Sequence, residues 1–540
     1  MKTKWMAAVA AAAVLTASGV ARAEDGSVTA LRAQATELKK QNAALEKRLS
    51  KLETQQAADA SASPTDFLAQ VTKGPLPVVL DDGPICWKGI CINGAIDGGL
   101  SYASHGAPLN SKYYNGNEMI TKAGNRPYFG FNPNGLGNSQ VGVKGSVELI
   151  PDWAGVFTLN TYFNPQSGQL QNAPGSLVDN SGVPLISQSQ NGDGSRGGQA
   201  FNDQANFGVS SKTFGTLTFG RHRTLNNDLF GAYDPTGGAP AFSFIGYSGS
   251  FGAGLGFTGD SRWDNSLKYK VTYGPVRFGA MYKFVDGNSG SNAGNANTPT
   301  VFFKRQNDAA QFDVGFSYAG FDVDGVIGYF NQAINSGALN TTQLRGVDTL
   351  TLPGSSTNVA INTVNNSNAG TLSGTAADTT GGSIGAKYTW NQWKFYGGWS
   401  HMIFHNPKNP VGIGSQNDQG GYVLSSVNNN AYPNARLLDV EWFGVKYAWD
   451  PKTDIIAVYE HANQNSYGSA ATQRACNTNN RSSGTCAGTM NQASLSAVYH
   501  FTKRFDVYGG VSWSTWNGGF SNGSQYSVNW APTVGARFTF

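Results

Sequence analysis

Five cations fall in the stretch RWDNSLKYKVTYGPVRFGAMYKF (262–284): Arg262, Lys268, Lys270, Arg277 and Lys283. Up to Tyr273 they alternate with Trp263, Leu267, Tyr269, Val271 and Tyr273. After Gly274-Pro275 the parity swaps, and Val276, Phe278, Ala280, Tyr282 and Phe284 form the apolar row. Fixed cations along one face of a hairpin can set a field or hold anions; they are not a catalytic set. Other reactive residue types are sparse. His401 and His405 in HMIFH could share a strand face, as a metal pair or as a plain interface. Cys86/Cys91 and Cys476/Cys486 form two local pairs, read as disulfide staples of an oxidising compartment. Zinc, the alternative, lacks C-x₂-C spacing and a nearby His. No H-E-x-x-H and no phosphate loop occur, and GYSGS (246–250) departs from the nucleophile elbow at its last residue. His500 has inward parity in its strand, against a Ser–His enzyme on an outer wall. No enzyme activity and no cofactor are implied.

The elements that must carry the basic row have a period of two. Gly is 69 of 540 residues, aromatics are 12% and charges 13%, and after the N-terminus no apolar run is long enough for a transmembrane helix. In GICINGAIDGGLSYA, Ile90, Ile92, Ile96, Leu100 and Tyr102 share one face. In QVGVKGSVELI, Val141, Val143, Val147 and Leu149 oppose Gln140, Lys144, Ser146 and Glu148. Strands of about ten residues recur through 86–540. Tight turns fall near 150–153, 211–214, 273–275, 320, 391–392, 449–452 and 502–503, and long Gly/Asn/Ser loops alternate with them. This spacing predicts sixteen antiparallel strands closed into a transmembrane β-barrel. Segregated connection lengths and strands of this length suit an outer membrane, and closure removes unpaired edges. Trp390, Trp393, Trp399, Trp513 and Trp530 stand at strand ends, where an interfacial girdle lies. The apolar rows then face lipid and the charged rows face a lumen too wide for side chains to fill.

The N-terminus reads differently. Residues 1–23 form a secretory signal ending in Ala21-Arg22-Ala23. Removing Lys2, Lys4 and Arg22 from the 38 basic residues leaves 35 against 34 acidic. Net charge thus points to no partner, nucleic acid included. Residues 24–54 hold a heptad seam: Val28, Ala35, Asn42 and Leu49 at one position, Leu31, Leu38, Leu45 and Leu52 at the other. Such a periplasmic coil must associate; Asn42 sets its register, and Leu at every d position leans toward two strands. The Ala/Ser/Pro-rich residues 55–85 read as a linker.

Four stretches, SQVGVKGSVEL (139–149), FGTLTFGRHRTLNNDLFGAYDP (214–235), DNSLKYKV (264–271) and GARFTF (535–540), together resemble the Gram-negative general porins. The resemblance covers roughly 86–540. It implies a trimeric, sixteen-stranded outer-membrane channel, passively open to small hydrophilic solutes and ions. It also implies a third loop, about 222–261, folded into the barrel, and a terminal aromatic, Phe540, read by the barrel assembly machinery. By match with the family, Lys144 and Arg221 belong to a basic ladder on the wall. Alternation adds Lys268, Lys270, Arg277, Lys283, Lys387 and Lys394, with Arg223 at the loop root; Asp228 and Asp234 are the acidic candidates on the loop. Strict alternation puts Arg221 on lipid, so a bulge at Gly220 is expected to turn it inward. Gln140 stands where the family commonly has Arg. Asp313, Asp322 and Asp324 read as acids crowding one turn, leaving a slight anion preference. Two other readings stay open, a channel selective for sugars or dicarboxylates, and a structural or adhesive barrel.

Overall fold

In the computed structural model, the described residues are 85–105, 127–166, 168, 170, 200–245, 262–284, 308–331, 379–405, 434–467, 485–519 and 527–540, with short strand pieces at 334–335, 349–351, 358–360, 375–376, 476–477 and 483–484. The expected signal, coil and linker, with Val28 to Leu52, lie outside them.

Sixteen long strands form one antiparallel sheet: β1 Ile90–Ala103, β2 Gln140–Ile150, β3 Trp153–Tyr162, β4 Gln204–Ser211, β5 Gly215–Arg223, β6 Arg262–Tyr273, β7 Val276–Lys283, β8 Ala309–Tyr318, β9 Phe321–Phe330, β10 Thr379–Trp390, β11 Trp393–Phe404, β12 Arg436–Asp450, β13 Thr453–Gln464, β14 Gly488–His500, β15 Phe505–Gly518 and β16 Val528–Thr539. Neighbours in sequence pair throughout. The sheet closes where β1 pairs with β16, from Ala95↔Thr539 to Ser101↔Thr533. Phe540 completes the seam: its backbone exchanges hydrogen bonds of 2.8 and 3.0 Å with Gly94. A Cβ on Gly94 would lie 2.3 Å from the Phe540 ring, so this position has room only for glycine. Every strand end thereby loses its free edge, which hydrocarbon requires.

The short connections are hairpins. Between β8 and β9, Ala319 (φ 50°) and Gly320 (φ 82°) take the left-handed pair that matches strand twist. Side chains alternate as the period demands. On β8, Phe312, Val314, Phe316 and Tyr318 are exposed on the outside, while Gln311, Asp313 and Ser317 point inward. The outer wall carries exposed Ile96, Leu100, Val147, Phe207, Leu217, Phe278, Ile327, Phe443 and Leu495, an apolar surface far larger than a water-soluble monomer shows. Near the short turns it ends in an aromatic belt that includes Tyr318, Tyr388, Trp390, Trp393, Trp449 and Phe501.

Two irregularities shape the interior. The first half of β1 pairs with β2 and its second half with the short strand Tyr128–Pro133. Residues 134–139 between these partners leave the wall. Asp97, fully buried, accepts from the amides of Gly135 (3.2 Å), Leu136 (2.8 Å) and Gly137 (2.9 Å) and from the Tyr508 hydroxyl (2.7 Å). The second is a bulge where Asp264 and Asn265 (φ 49°) oppose Arg221 alone. It corrects one reading of the alternation. Trp263, assigned to the lipid row, is buried and packs edge-on against the inward Phe330. The extra residue reverses the parity beyond Ser266.

Candidate functional site

The connection after β5 crosses the barrel interior instead of standing clear of it. It opens with helix α1, Leu225–Tyr233, whose N-cap Thr224 hydroxyl accepts from the Asn227 amide. The helix has a wall side and a lumen side. Leu225, Leu229, Phe230 and Tyr233 are buried toward the wall. Phe230 packs on Trp442 of β12 at 5.3 Å, and the Trp442 indole donates to the Tyr233 carbonyl at 2.9 Å. Glycines in the wall make the seat: a Cβ on Gly385 would meet Tyr233 at 2.7 Å, and one on Gly444 would meet Pro235 at 2.4 Å.

Beyond the helix, the chain is tied to the neighbouring strand of the same wall, where Glu460 pairs with Trp442. Glu460 of β13, fully buried, accepts from the Ser243 hydroxyl (2.5 Å) and the Phe244 amide (2.9 Å). The Ala241 amide donates to the Gly135 carbonyl, and Phe242 stands edge-on to Tyr508. The segment held by Asp97 thus supports the loop from below.

The lumen side of α1 carries Asp228. It accepts from Lys268 and Lys270, both at 2.8 Å. Burial alone would raise this carboxyl, but the two ammonium groups outweigh it and hold it down to about 2. Lys268 also donates to the Arg223 carbonyl, so one lysine fixes both the loop root and the helix.

At the helix end, Arg277 of β7 binds Asp322 (2.5 Å) and Asp324 (2.9 Å) of β9, and donates to Ser317. The Tyr233 hydroxyl donates to Asp324 at 2.7 Å. Lys387 lies 3.2 Å from Asp322 and over the Tyr233 ring. Above the helix, Arg223 and Arg262 share one buried carboxylate, Asp203, at 2.6 and 2.7 Å, and both lie over the Tyr162 ring. Burial opposes the Asp203 charge, yet the two guanidiniums hold its carboxyl well below the usual range.

The basic candidates therefore separate. Lys268 and Lys270 meet the loop acid Asp228; Arg277 and Lys387 clamp the helix end. Arg223 caps the loop root. Arg221 is buried against Asp264 (2.5 Å) and the Asn202 carbonyl, beside the bulge. Lys283 is buried, with its ammonium 5.8 Å from the Phe330 ring centre. Lys144 and Lys394 are exposed on the inner wall.

Asp234 does not face the lysines. It is buried at the helix C-cap, where it accepts from the Thr236 amide and hydroxyl. Asp322 and Asp324, read as acids crowding one turn, are the partners of Arg277, and Asp313 stands on β8 rather than in that turn. Sequence reasoning missed Glu460, Asp203 and Asp97. Their signal was an acid at an inward strand position or just before a strand, without a neighbouring cation in sequence.

Cys86 and Cys91 are joined across the hairpin of Ile85–Trp87 with β1, and Cys486 is also disulfide-bonded; the Cys476 side chain lies outside the described residues. His401 pairs with Asp439 and His405 with Thr380. No metal-holding group of three His, Cys, Asp or Glu occurs among the described residues.

An outer membrane porin protein of Bordetella pertussis is 27% identical over 197 residues, which is 36% of this chain and 42% of that protein. The match thus spans less than half of the relative's length. Among solved structures, an anion-selective porin from Comamonas acidovorans aligns at 13% identity over 84% of this chain and 99% of its own, with a TM-score of 0.49. OmpT of Vibrio cholerae aligns at 13% identity over 85% and 99%, with a TM-score of 0.45. Residues 57–427 match the family described as Gram-negative porin, which is most of the chain: this protein belongs to the Gram-negative porins and is an outer-membrane β-barrel.

Proposed function

We propose that this porin passes small hydrophilic solutes and ions by passive diffusion, through a lumen narrowed by residues 224–245, with a slight preference for anions. The observation that carries this is the lumen side of α1, where Asp228 meets Lys268 and Lys270. One acid faces two lysines there, and exposed Lys144 and Lys394 add cations along the wall. In a narrow channel with low-dielectric walls such charge focuses potential and biases the ions admitted. The protein supplies size exclusion and a field rather than bond chemistry. The third loop folds into the barrel, three copies assemble side by side in outer-membrane lipid, and residues 24–54 associate between copies. Where the d-position leucines lean toward two strands, the larger barrel contacts decide for three. Phe540 serves as the assembly signal.

Purified protein in planar bilayers under a salt gradient tests this reading. Stepwise conductance with a reversal potential on the anion side is the expected result. A membrane that stays silent, or a strong cation preference, would overturn it.

A further inference from the structure

His500 is the last residue of β14 and shares the inward face of Gln492, Ser494, Ser496 and Val498. Its two ring nitrogens have separate partners. Nδ1 lies 2.6 Å from Asp506 of β15, and Nε2 lies 3.2 Å from Asp454 of β13. A carboxylate only accepts, and a neutral imidazole carries a single N–H. Both contacts together call for an imidazolium. The surroundings fix its place. Its amide donates to the Lys452 carbonyl in the adjacent short turn. Asp454 also takes Lys446 of β12 at 2.5 Å, and Asp506 stands in register with Arg537 of β16. Lys503 and Arg504 belong to the turn that follows. The His500 side chain keeps 38% of its exposure, so its charge is presented to the lumen water at the short-turn mouth.

We propose that His500 is a selectivity-determining residue of this channel: a cation set between two carboxylates, whose proton adds one unit of positive charge to the short-turn mouth. The ring is the group at this mouth whose ordinary titration falls nearest neutrality. Selectivity therefore depends on pH through this position. Acidic surroundings keep the mouth attractive to anions; loss of the proton leaves Lys446 and Arg537 facing Asp454 and Asp506.

The inference rests on the reading of the barrel as an open channel, and two measurements separate the two. Reversal potentials under a salt gradient are recorded from about pH 5 to about pH 9 for the native protein and for His500→Gln. The native anion-to-cation permeability ratio should fall by roughly twofold across one step. The variant should conduct equally well without that step. A step that survives in His500→Gln, or a native ratio that is flat over the whole range, overturns the inference. Silence in both proteins would instead overturn the channel reading. The second measurement is a ¹⁵N spectrum of the imidazoles in detergent at about pH 7, with His500 assigned by its loss in the variant. Two protonated ring nitrogens support the proposal and one overturns it, whether or not the barrel conducts.

Discussion

Asp228 serves two lysines at once, and its titration follows from that. A carboxyl held below its ordinary value contributes to the folded loop in full above that value of 3.8, and the contribution is lost as pH falls toward about 2. The open-channel current should therefore be equally quiet at about pH 7 and about pH 5, and noisier below about pH 3. Single-channel recording across that range checks it. Asp228→Asn should leave Lys268 and Lys270 without a counter-charge and raise the anion-to-cation permeability ratio by roughly two- to threefold. An unchanged reversal potential would show that these lysines do not face the permeating ions. Arg277 differs in kind. Its partners Asp322 and Asp324 tie it to Tyr233, so its replacement should loosen α1 more than it changes selectivity.

At the scale of the element, the helix is seated by shape against wall glycines such as Gly385, and the chain beyond it is tied to Glu460. Gly385→Val would press into Tyr233, and overpacking of this kind costs about 1–3 kcal/mol. Glu460→Ala would strip the acceptor from the Phe244 amide, a loss of about 1–3 kcal/mol. Limited proteolysis in detergent should cut both variants within 224–261 sooner than the parent, while the barrel survives. How far the sequence carries is visible in these same elements. Alternation and turn chemistry sufficed for the strands, because every residue in a two-faced wall reports its side. The bulge expected at Gly220 falls in this strand pair, but its extra residue sits on the facing strand at Asp264 and Asn265, where it reverses Trp263 and leaves the composition of the strand unchanged. Glu460 carries no local signal, because its partners lie more than 200 positions away in the chain. Asp97 reads as an acid in an apolar strand, and only the fold brings residues 134–139 and Tyr508 to it.

For the whole molecule, the two faces of one sheet lie in two solvents, and substitutions should sort by face. Val314→Lys, on the outer wall of β8, should cost about 2–4 kcal/mol in lipid vesicles, measured by denaturant unfolding. Ser146→Lys, on the inner wall of β2, should cost under about 1 kcal/mol. The most direct test of this two-sided wall is a cysteine scan along β2 in lipid vesicles with a charged, membrane-impermeant thiol reagent. The native Cys86, Cys91 and Cys486 are disulfide-bonded and leave the background low. Cysteines at Lys144, Ser146 and Glu148 should react quickly, and those at Val143 and Val147 should stay protected until detergent dissolves the membrane. Equal reactivity at all five positions, or protection of the first three alone, would contradict a closed cylinder with a wet interior.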